Sequence, residues 1–334
     1  MRFLNLLTAL IAAVFILGCL PPDDKLADNN ALPVTSHTPI YSMKGVGIDL
    51  PQSDFEDMKN AGIEILSTEW GMEQDIDQAR RFLDQAQAAG LKVVMDGGFS
   101  YTAWGFSDDD WEGSPAGKRP VWKKERVQNW INALKDHSAI YAWDICNEFG
   151  ENLPSGAGIP GSDWPKTMIT LEQLKQARAD VLAVDNTRPI HLRTYEWESN
   201  DRTAFIQSML DAGIADIISL NLYSNYLDHG KLQWPDVIAD AGQRCVTEIK
   251  QRAPQTKVWL SIAAFEDDDI FQQPTTSDVA RDIKYAREIE GLDGLSFFCW
   301  GPVNQWDERN NWYLPRTGAD LWSVIKEKIG KAGQ

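Results

Sequence analysis

Positive charge is scarce in this chain. It has 32 lysine and arginine residues against 49 aspartate and glutamate residues, which gives a formal net charge of −17 at pH 7. Because proteins bind nucleic acid through lysine and arginine contacts to phosphate, this balance predicts no nucleic-acid partner. The same average field would repel a polyanionic ligand, although most of these charges simply keep the surface soluble.

Cysteine and histidine are also sparse, with 4 residues of each. Neither Cys146, Cys245 and Cys299 nor His191 and His229 show the spacing of metal ligands. A domain of this size can build its core without disulfides, so we expect buried thiols, with Cys146 and Cys299 in strands and Cys245 in a helix. We predict no catalytic metal and no cofactor.

Long apolar runs are missing apart from Phe3–Leu17, which is too short to cross a membrane as a helix. Arg2 precedes this run and Gly18-Cys19 follows it, an order typical of a signal peptide over residues 1–18. The Leu-Gly-Cys ending resembles the lipobox of bacterial lipoproteins. That resemblance implies cleavage before Cys19 and a diacylglycerol anchor on its sulfur. An ordinary signal peptide that ends near a cysteine is the alternative.

Leu20 follows the cysteine where an aspartate would imply inner-membrane retention, so the resemblance favours the outer membrane. Residues 19–42 are rich in Pro, Asp, Asn, Ser and Thr and show no apolar period, which predicts a flexible tether. Residues 43–334 then form one domain of ordinary barrel size, and we expect it to be a monomer.

Short apolar segments alternate with amphipathic stretches along the rest of the chain. The predicted strands are Lys44–Leu50, Ile63–Glu69, Leu91–Gly97, Ile140–Asn147, Pro189–Tyr195, Ile214–Leu222, Val258–Ala264 and Leu295–Trp300. This alternation within one domain predicts a closed (β/α)8 barrel, or TIM barrel. The rival fold is an open doubly wound sheet, which favours a glycine-rich phosphate loop after the first strand. Val46–Pro51 is not such a loop.

Helical periodicity supports the crossovers between these strands. The predicted helices include Asp75–Ala89, Thr170–Val184 and Ser277–Ile289. Ser277 is the expected N-cap of the last of them. Glycine precedes three of the predicted strands, where it allows a helix to end in a left-handed turn. These glycines are Gly62, Gly90 and Gly213.

The predicted loops that follow strands three, four, six, seven and eight are long. They cover residues 98–120, 149–169, 224–233, 267–276 and 301–317. In barrels of this type the functional site lies at the C-terminal ends of the strands, within these loops. The loops also carry tryptophans, whose exposed rings suit flat, partly apolar ligands such as sugars. They are Trp104, Trp111, Trp164, Trp306 and Trp312.

Glutamate ends two of the predicted strands. Strand four runs Trp-Asp-Ile-Cys-Asn to Glu148, and strand seven runs Ile-Ala-Ala-Phe to Glu266. These strands lie on different sides of a (β/α)8 barrel, so their ends face each other across its mouth. Two such carboxyl groups can hydrolyse a glycosidic bond, because one protonates the leaving oxygen while the other attacks the anomeric carbon. Retention of configuration predicts a separation of about 5–5.5 Å between them.

With these motifs the chain resembles the clan A glycoside hydrolases, which are retaining (β/α)8 enzymes. The resemblance implies that Glu148 is the acid/base and Glu266 the nucleophile. It also implies that Asn147 binds the sugar hydroxyl beside the reacting carbon.

Two aromatic residues extend the resemblance. Asn-Leu-Tyr223 ends strand six, where the clan often has a tyrosine that hydrogen-bonds the nucleophile; a packing role, or the same role for Tyr226, is the alternative. Trp300 ends strand eight, where the clan commonly has a tryptophan beneath the sugar; a core position is the alternative.

The chain departs from the clan's large family five, which often carries an arginine near strand two and a histidine after strand three. Here strand two ends at Glu69-Trp and strand three runs Met-Asp96-Gly-Gly, so the family is left open. We expect Asp96 and Trp104 to contact sugar as well. Arg193 could do so, or it could join a structural ion pair near the mouth.

Together these features predict a retaining hydrolase of β-linked oligo- or polysaccharides, of β-glucan or β-mannan type. It would be exported and lipid-anchored. One rival is a non-catalytic glycan-binding lipoprotein on the same barrel. Another is a hydrolase with an acidic metal site built from Asp96, Glu148 and Asp267–Asp269. That acidic run is otherwise a solvated loop or a Ca²⁺ site.

Overall fold

A computed structural model gives the architecture of the chain. It describes residues 39–46, 50–68, 75–95, 122–146, 170–195, 200–228, 230–266, 271–301, 314–315 and 318–330. The predicted signal peptide, Cys19 and nearly all of the predicted tether lie outside the described residues.

Eight parallel strands close into a barrel. They are β1 (Ile40–Lys44), β2 (Ile65–Ser67), β3 (Lys92–Met95), β4 (Ile140–Asp144), β5 (Ile190–Tyr195), β6 (Ile217–Asn221), β7 (Lys257–Ala263) and β8 (Gly294–Phe298). Each strand pairs with its neighbours in chain order, and β1 pairs with β8 to close the ring. The prediction of a (β/α)8 barrel is therefore confirmed, and the open sheet is excluded.

The position of β1 corrects one predicted boundary. The strand was expected at Lys44–Leu50 after a tether ending at residue 42, but it lies at Ile40–Lys44 and pairs with both β2 and β8. Gly45 has a φ of 63°, in the left-handed region that glycine tolerates, and it stops the strand just where the prediction began it. The barrel therefore starts inside the segment assigned to the tether.

Eight α-helices lie in the described part of the chain. They are α1 (Gln52–Ala61), α2 (Ile76–Ala88), α3 (Lys124–Leu134), α4 (Leu171–Leu182), α5 (Asn200–Asp211), α6 (Gln243–Arg252), α7 (Thr276–Glu288) and α8 (Ala319–Gly330). A π-helical turn, Ile238–Gly242, leads into α6. None of these described helices is both long and apolar enough to cross a bilayer.

Helix ends follow the local chemistry of the sequence. Asp75 caps α2, and Thr170 caps α4 in a reciprocal box with Gln173. The cap of α7 is Thr275, boxed with Asp278, and not Ser277 as predicted. A serine or threonine caps best when an acidic or amide side chain lies three residues on, and Thr275 meets that condition. The three glycines expected to end helices all have positive φ, namely Gly62, Gly90 and Gly213.

Apolar residues form separate layers on the outer and inner sides of the barrel wall. The outer face of the strands packs against the helices. Neighbouring helices also pack on each other, as where Phe55 of α1 meets Phe82 of α2 with ring centroids 5.3 Å apart. Burying one such ring contributes about 1.5–3 kcal/mol. Inside the barrel, the floor at the N-terminal ends of the strands is closed by a smaller apolar group that includes Trp259. Cys146, Cys245 and Cys299 are free and buried as predicted, and Cys245 lies in α6. The prediction that Cys146 and Cys299 lie in strands is wrong, because β4 ends at Asp144 and β8 ends at Phe298.

Candidate active site

Polar side chains form a layer in the middle of the barrel. Asp144 of β4 lies between two residues of β5: Arg193 Nε is 2.8 Å from Asp144 Oδ2, and His191 Nδ1 is 3.2 Å from the same oxygen. Arg193 also donates to Ser67 Oγ of β2 at 2.9 Å, a contact that crosses the barrel. His191 Nε2 bonds Ser219 Oγ of β6 at 2.7 Å. These contacts establish that the side chains point inward.

Lys44 of β1 completes this layer from the opposite wall. Its Nζ donates to Asn221 Oδ1 of β6 at 2.6 Å and to Ser261 Oγ of β7 at 3.0 Å, and only 2% of the residue is exposed. Ser261 in turn bonds Ser296 of β8 at 2.7 Å. A buried ammonium is stable only when it is well hydrogen-bonded, so these serine and asparagine oxygens explain why lysine is tolerated here.

The charge states of this layer follow from its geometry. Burial alone would raise the pKa of Asp144, but the positive charge of Arg193, together with the contact to His191 and the hydrogen bond from the Cys146 N–H, outweighs burial and holds that pKa below 3.8. Burial lowers the pKa of His191 below 6.5, against the pull of Asp144. We therefore assign an ionised Asp144 and a neutral His191 at neutral pH. Within the described ranges no group of metal-ligating side chains occurs.

Aromatic rings lie above the polar layer, at the C-terminal ends of β6, β7 and β8. Tyr223 stacks on Phe298 with centroids 5.8 Å apart, and Phe265 meets Phe298 edge-on at 4.8 Å. Phe271 packs against both Tyr223 and Phe265. We call these four residues the mouth cluster. They give the barrel mouth an apolar wall, of the kind that accepts the flat face of a sugar.

Glu266 comes directly after the mouth cluster residue Phe265, and it is half-buried. It lies three residues beyond the last residue of β7, Ala263. Ser261, Ala263 and Phe265 share the barrel-facing side of this strand, because side chains alternate along β-structure. The carboxylate predicted at the end of strand seven is thus carried by the segment leaving the strand, one residue past the last inward-facing position.

The structure corrects the assignment of Trp300. Its ring is fully buried between the barrel and the helices: Nε1 donates to Asp54 of α1 at 3.2 Å, and the ring packs edge-on against Trp322 of α8. A ring enclosed on that side cannot lie beneath a sugar. The aromatic residue of β8 that faces the mouth is Phe298, which is 9% exposed.

Of the other predicted site residues, the structure describes only Tyr223. Tyr223 lies at the mouth as expected, beside Phe265 and Phe298. Glu148, Asn147, Asp96 and Trp104 lie outside the described residues, and their roles stay predictions.

The described chain reaches Cys146, whose backbone N–H donates to Asp144 Oδ1 at 3.2 Å. Asp144 therefore fixes the backbone of the residue immediately before Asn147.

Sequence reasoning missed the layer around Asp144 and Lys44. A polar residue inside a predicted strand was the available signal, and Asp144, His191 and Arg193 each interrupt an apolar run. Of the two roles left open for Arg193, the structure shows the ion pair, through its contact with Asp144.

Comparisons with known proteins identify the architecture. No protein-family model matches the chain, and none of the curated proteins matches it. Solved structures do match. A GH5_18 from Bifidobacterium longum subsp. infantis aligns with a TM-score of 0.56 at 13% identity, over 86% of this chain and 78% of that one. A GH5_18 variant from Streptomyces cattleya, in complex with Manβ1-4GlcNAc, aligns with a TM-score of 0.59 at 14% identity, over 88% and 81%.

A third similar structure is a β-galactosidase from the psychrophilic Marinomonas ef1. It has a TM-score of 0.60 and 11% identity, over 88% of this chain and 59% of the other. This chain shares its (β/α)8 barrel fold with these three glycoside hydrolase structures. At these identities the similarity establishes the architecture, and the chemistry has to be argued from this chain's own residues.

Proposed function

We propose that this chain is a retaining glycoside hydrolase that cleaves β-glycosidic bonds in an oligo- or polysaccharide. The observation that carries the proposal is the closed barrel in which β4 leads to Asn147-Glu148 and β7 leads to Glu266. β5 and β6 separate these strands on one side of the ring, so their C-terminal ends stand across the mouth from each other. The mouth cluster supplies an apolar wall at the C-terminal ends of β6, β7 and β8.

The proposed mechanism has two steps. Glu148 donates a proton to the leaving sugar oxygen while ionised Glu266 attacks the anomeric carbon. Glu148 then takes a proton from water, which attacks the same carbon and releases Glu266. Asn147 would bind the neighbouring sugar hydroxyl, and Asp96 and Trp104 would contact other parts of the substrate. We propose a β-glucan or β-mannan as the substrate class.

A second candidate function is glycan binding without hydrolysis. The inward-facing residues at the C-terminal end of β7 and just after it, Ala263 and Phe265, are apolar. An apolar surface at this position could hold a sugar ring without supplying a catalytic carboxylate. Under this alternative Glu266 contacts water or protein and takes no part in bond cleavage.

One experiment separates the two functions. Reducing-sugar release is measured on a panel of β-glucans, β-mannans and other β-linked polysaccharides, and ¹H NMR follows the anomer that forms first. We expect hydrolysis with a β-anomer product, and a fall of about 10³-fold or more in kcat for Glu148→Ala and Glu266→Ala on unactivated substrates. Glu290→Ala is the matched control, since Glu290 is exposed in the turn before β8, at the opposite end of the barrel.

The outcomes are distinct. Binding to a polysaccharide with no product, unchanged by either substitution, would favour the glycan-binding alternative. Activity lost on chelation and restored by a metal would favour the acidic metal-site hydrolase.

We also propose that the chain is exported and anchored to the outer membrane through a diacylglycerol on Cys19. The support is the run Leu17-Gly18-Cys19 at the end of the apolar segment. Cys19→Ser should abolish labelling with radioactive palmitate and release the protein from the membrane fraction. Continued membrane retention of that variant would contradict the proposal.

A further inference from the structure

Asn225 joins the loop after β6 to the segment after β7. Its Nδ2 donates to Phe265 O and to Gln272 O, each at 2.9 Å. Its own backbone carbonyl accepts from Gln272 N at 2.8 Å. The segment 266–271, which begins with Glu266, is therefore held at both ends by one side chain that is only 4% exposed.

The orientation of this amide is determined by its partners. Both hydrogens of Nδ2 are used on backbone carbonyls, whereas no donor among the described residues reaches Oδ1. Turning the amide over would place Oδ1 against two carbonyl oxygens and lose both bonds. Only a side chain with two donors on one atom at this position can satisfy Phe265 and Gln272 together.

The residues on either side of Asn225 are also held by contacts with the rest of the fold. The preceding residue, Ser224, donates to the buried carboxylate of Asp282 in α7 at 2.5 Å, and Asp282 is paired with Arg281 at 3.0 Å. The following residue, Tyr226, forms an antiparallel bridge with Phe271. The amide thus connects the outgoing β7 segment to a helix-anchored part of the fold.

We infer that Asn225 is a positioning residue for Glu266, acting by holding both ends of the segment that carries it. The inference rests on the proposed function, in which Glu266 is the nucleophile. Nucleophilic attack depends on placement, and a displacement of about 1 Å can cost on the order of 10²-fold in rate. Asn225 has no part in proton transfer, so its loss should slow attack by Glu266 and leave acid catalysis by Glu148 intact.

The test uses mechanism-based labelling. The probe is the 2-deoxy-2-fluoro glycosyl fluoride of whichever sugar the full-length wild-type protein releases from the polysaccharide panel. Fluoride leaves with little acid assistance, so the rate of covalent labelling reports attack by the nucleophile. Intact mass spectrometry gives the rate, and peptide mapping gives the labelled residue.

Asn225→Asp is the diagnostic variant, because it keeps the shape and replaces the two donors with an acceptor. We expect it to be labelled on Glu266 about 10- to 100-fold more slowly than the wild type, with a matching fall in kcat and little change in KM. Gln273→Ala is the matched control, since Gln273 is exposed and lies two residues beyond the segment 266–271. It should be labelled at the wild-type rate.

A second measurement is independent of activity. Hydrogen exchange of the peptide covering 264–273 should be faster in Asn225→Asp than in Gln273→Ala, with exchange in β7 unchanged. If Asn225→Asp does not fold, Asn225→Ser replaces it, because serine keeps one donor in a smaller volume.

The failures of the two proposals are distinguishable. A wild-type protein that is not labelled on Glu266 refutes the nucleophile assignment, and the inference falls with it. Wild-type labelling on Glu266, together with wild-type rates and exchange in the folded Asn225 variant, overturns the inference alone.

Discussion

The Arg193 guanidinium lies against the Asp144 carboxylate inside the barrel, with Nε 2.8 Å from Oδ2 and neither side chain exposed. The pair joins β4 to β5 one layer beneath the mouth, and Asp144 also accepts the Cys146 N–H, just before the predicted acid/base. Removing one partner of a buried pair leaves the other charge desolvated and unpaired, which costs far more than the pair contributes as a unit.

We therefore predict that Asp144→Asn lowers the free energy of unfolding by about 3–5 kcal/mol. The measurement is urea unfolding followed by tryptophan fluorescence. Asp77→Asn is the control, because Asp77 pairs with Arg80 at 3.4 Å with 79% of the Asp77 side chain exposed. It should change stability by about 0.5 kcal/mol or less. Equal losses in the two variants would contradict a special role for the buried pair.

Asp185 leads to a prediction about how the stability of the fold depends on pH. Burial would raise its pKa, but hydrogen bonds from Thr187, Trp143 and Arg188 outweigh burial and lower that pKa from 3.8 to about 2. A lowered pKa in the folded state stabilises the fold above the unfolded-state pKa, and this stabilisation is lost as the pH falls through the folded value. At neutral pH it amounts to about 1–2 kcal/mol.

Asp185→Asn should therefore have a lower free energy of unfolding than the wild type at neutral pH. This difference in free energy should disappear between about pH 4 and pH 2. Urea midpoints across that range provide the measurement, with the exposed Asp136→Asn as control. A gap between wild type and Asp185→Asn that is constant from neutral to acid pH would contradict the assigned shift.

The barrel itself was predictable because strand and helix periods differ and the chain repeats them. Strands β2 to β8 overlap the apolar segments that mark them, and glycines with positive φ end the helices before three of them. The first strand was misplaced because Val46 to Leu50 is as apolar as Ile40 to Lys44, and composition does not reveal that Gly45 stops the strand.

The site was harder to predict because it depends on which way each side chain points. Trp300 ends the eighth apolar run, but its ring lies on the helix side, while Phe298 two residues earlier is at the mouth. The Asn225 contacts join residues 40 and 47 positions apart, and no local pattern encodes them. Glu266 was predicted from its place after a strand, whereas the Asn225 contacts on either side of it required the structure.

Phe298 and Trp300 should respond oppositely to substitution if the mouth cluster binds sugar. Phe298→Leu keeps an apolar side chain but removes the flat ring, so we expect KM to rise by about 10-fold with a modest loss of stability. Trp300→Phe removes the bond to Asp54 and leaves a gap beside Trp322. It should lower the free energy of unfolding by about 1–3 kcal/mol and leave KM unchanged. Steady-state kinetics gives KM and urea unfolding gives stability for both variants. A rise in KM for Trp300→Phe alone would contradict the assignment of Phe298, and not Trp300, to the sugar-binding wall.

Gly294 is the point where the barrel floor tolerates no side chain. A Cβ there would lie 2.4 Å from Trp259 Cδ1, and Trp259 stacks on Tyr141 and contacts the His191 ring, with centroids 6.0 and 5.7 Å away. Gly294→Ala must therefore displace a ring that touches the polar layer, and we predict a loss of about 1–3 kcal/mol with a changed near-ultraviolet circular dichroism spectrum. Gly330→Ala is the control, since no atom lies within 4 Å of its added Cβ and alanine favours the helix. The two substitutions add the same methyl group. A loss of stability in Gly294→Ala alone would therefore identify the contact with Trp259 as its cause. Equal losses in the two variants would show that this contact is not the cause.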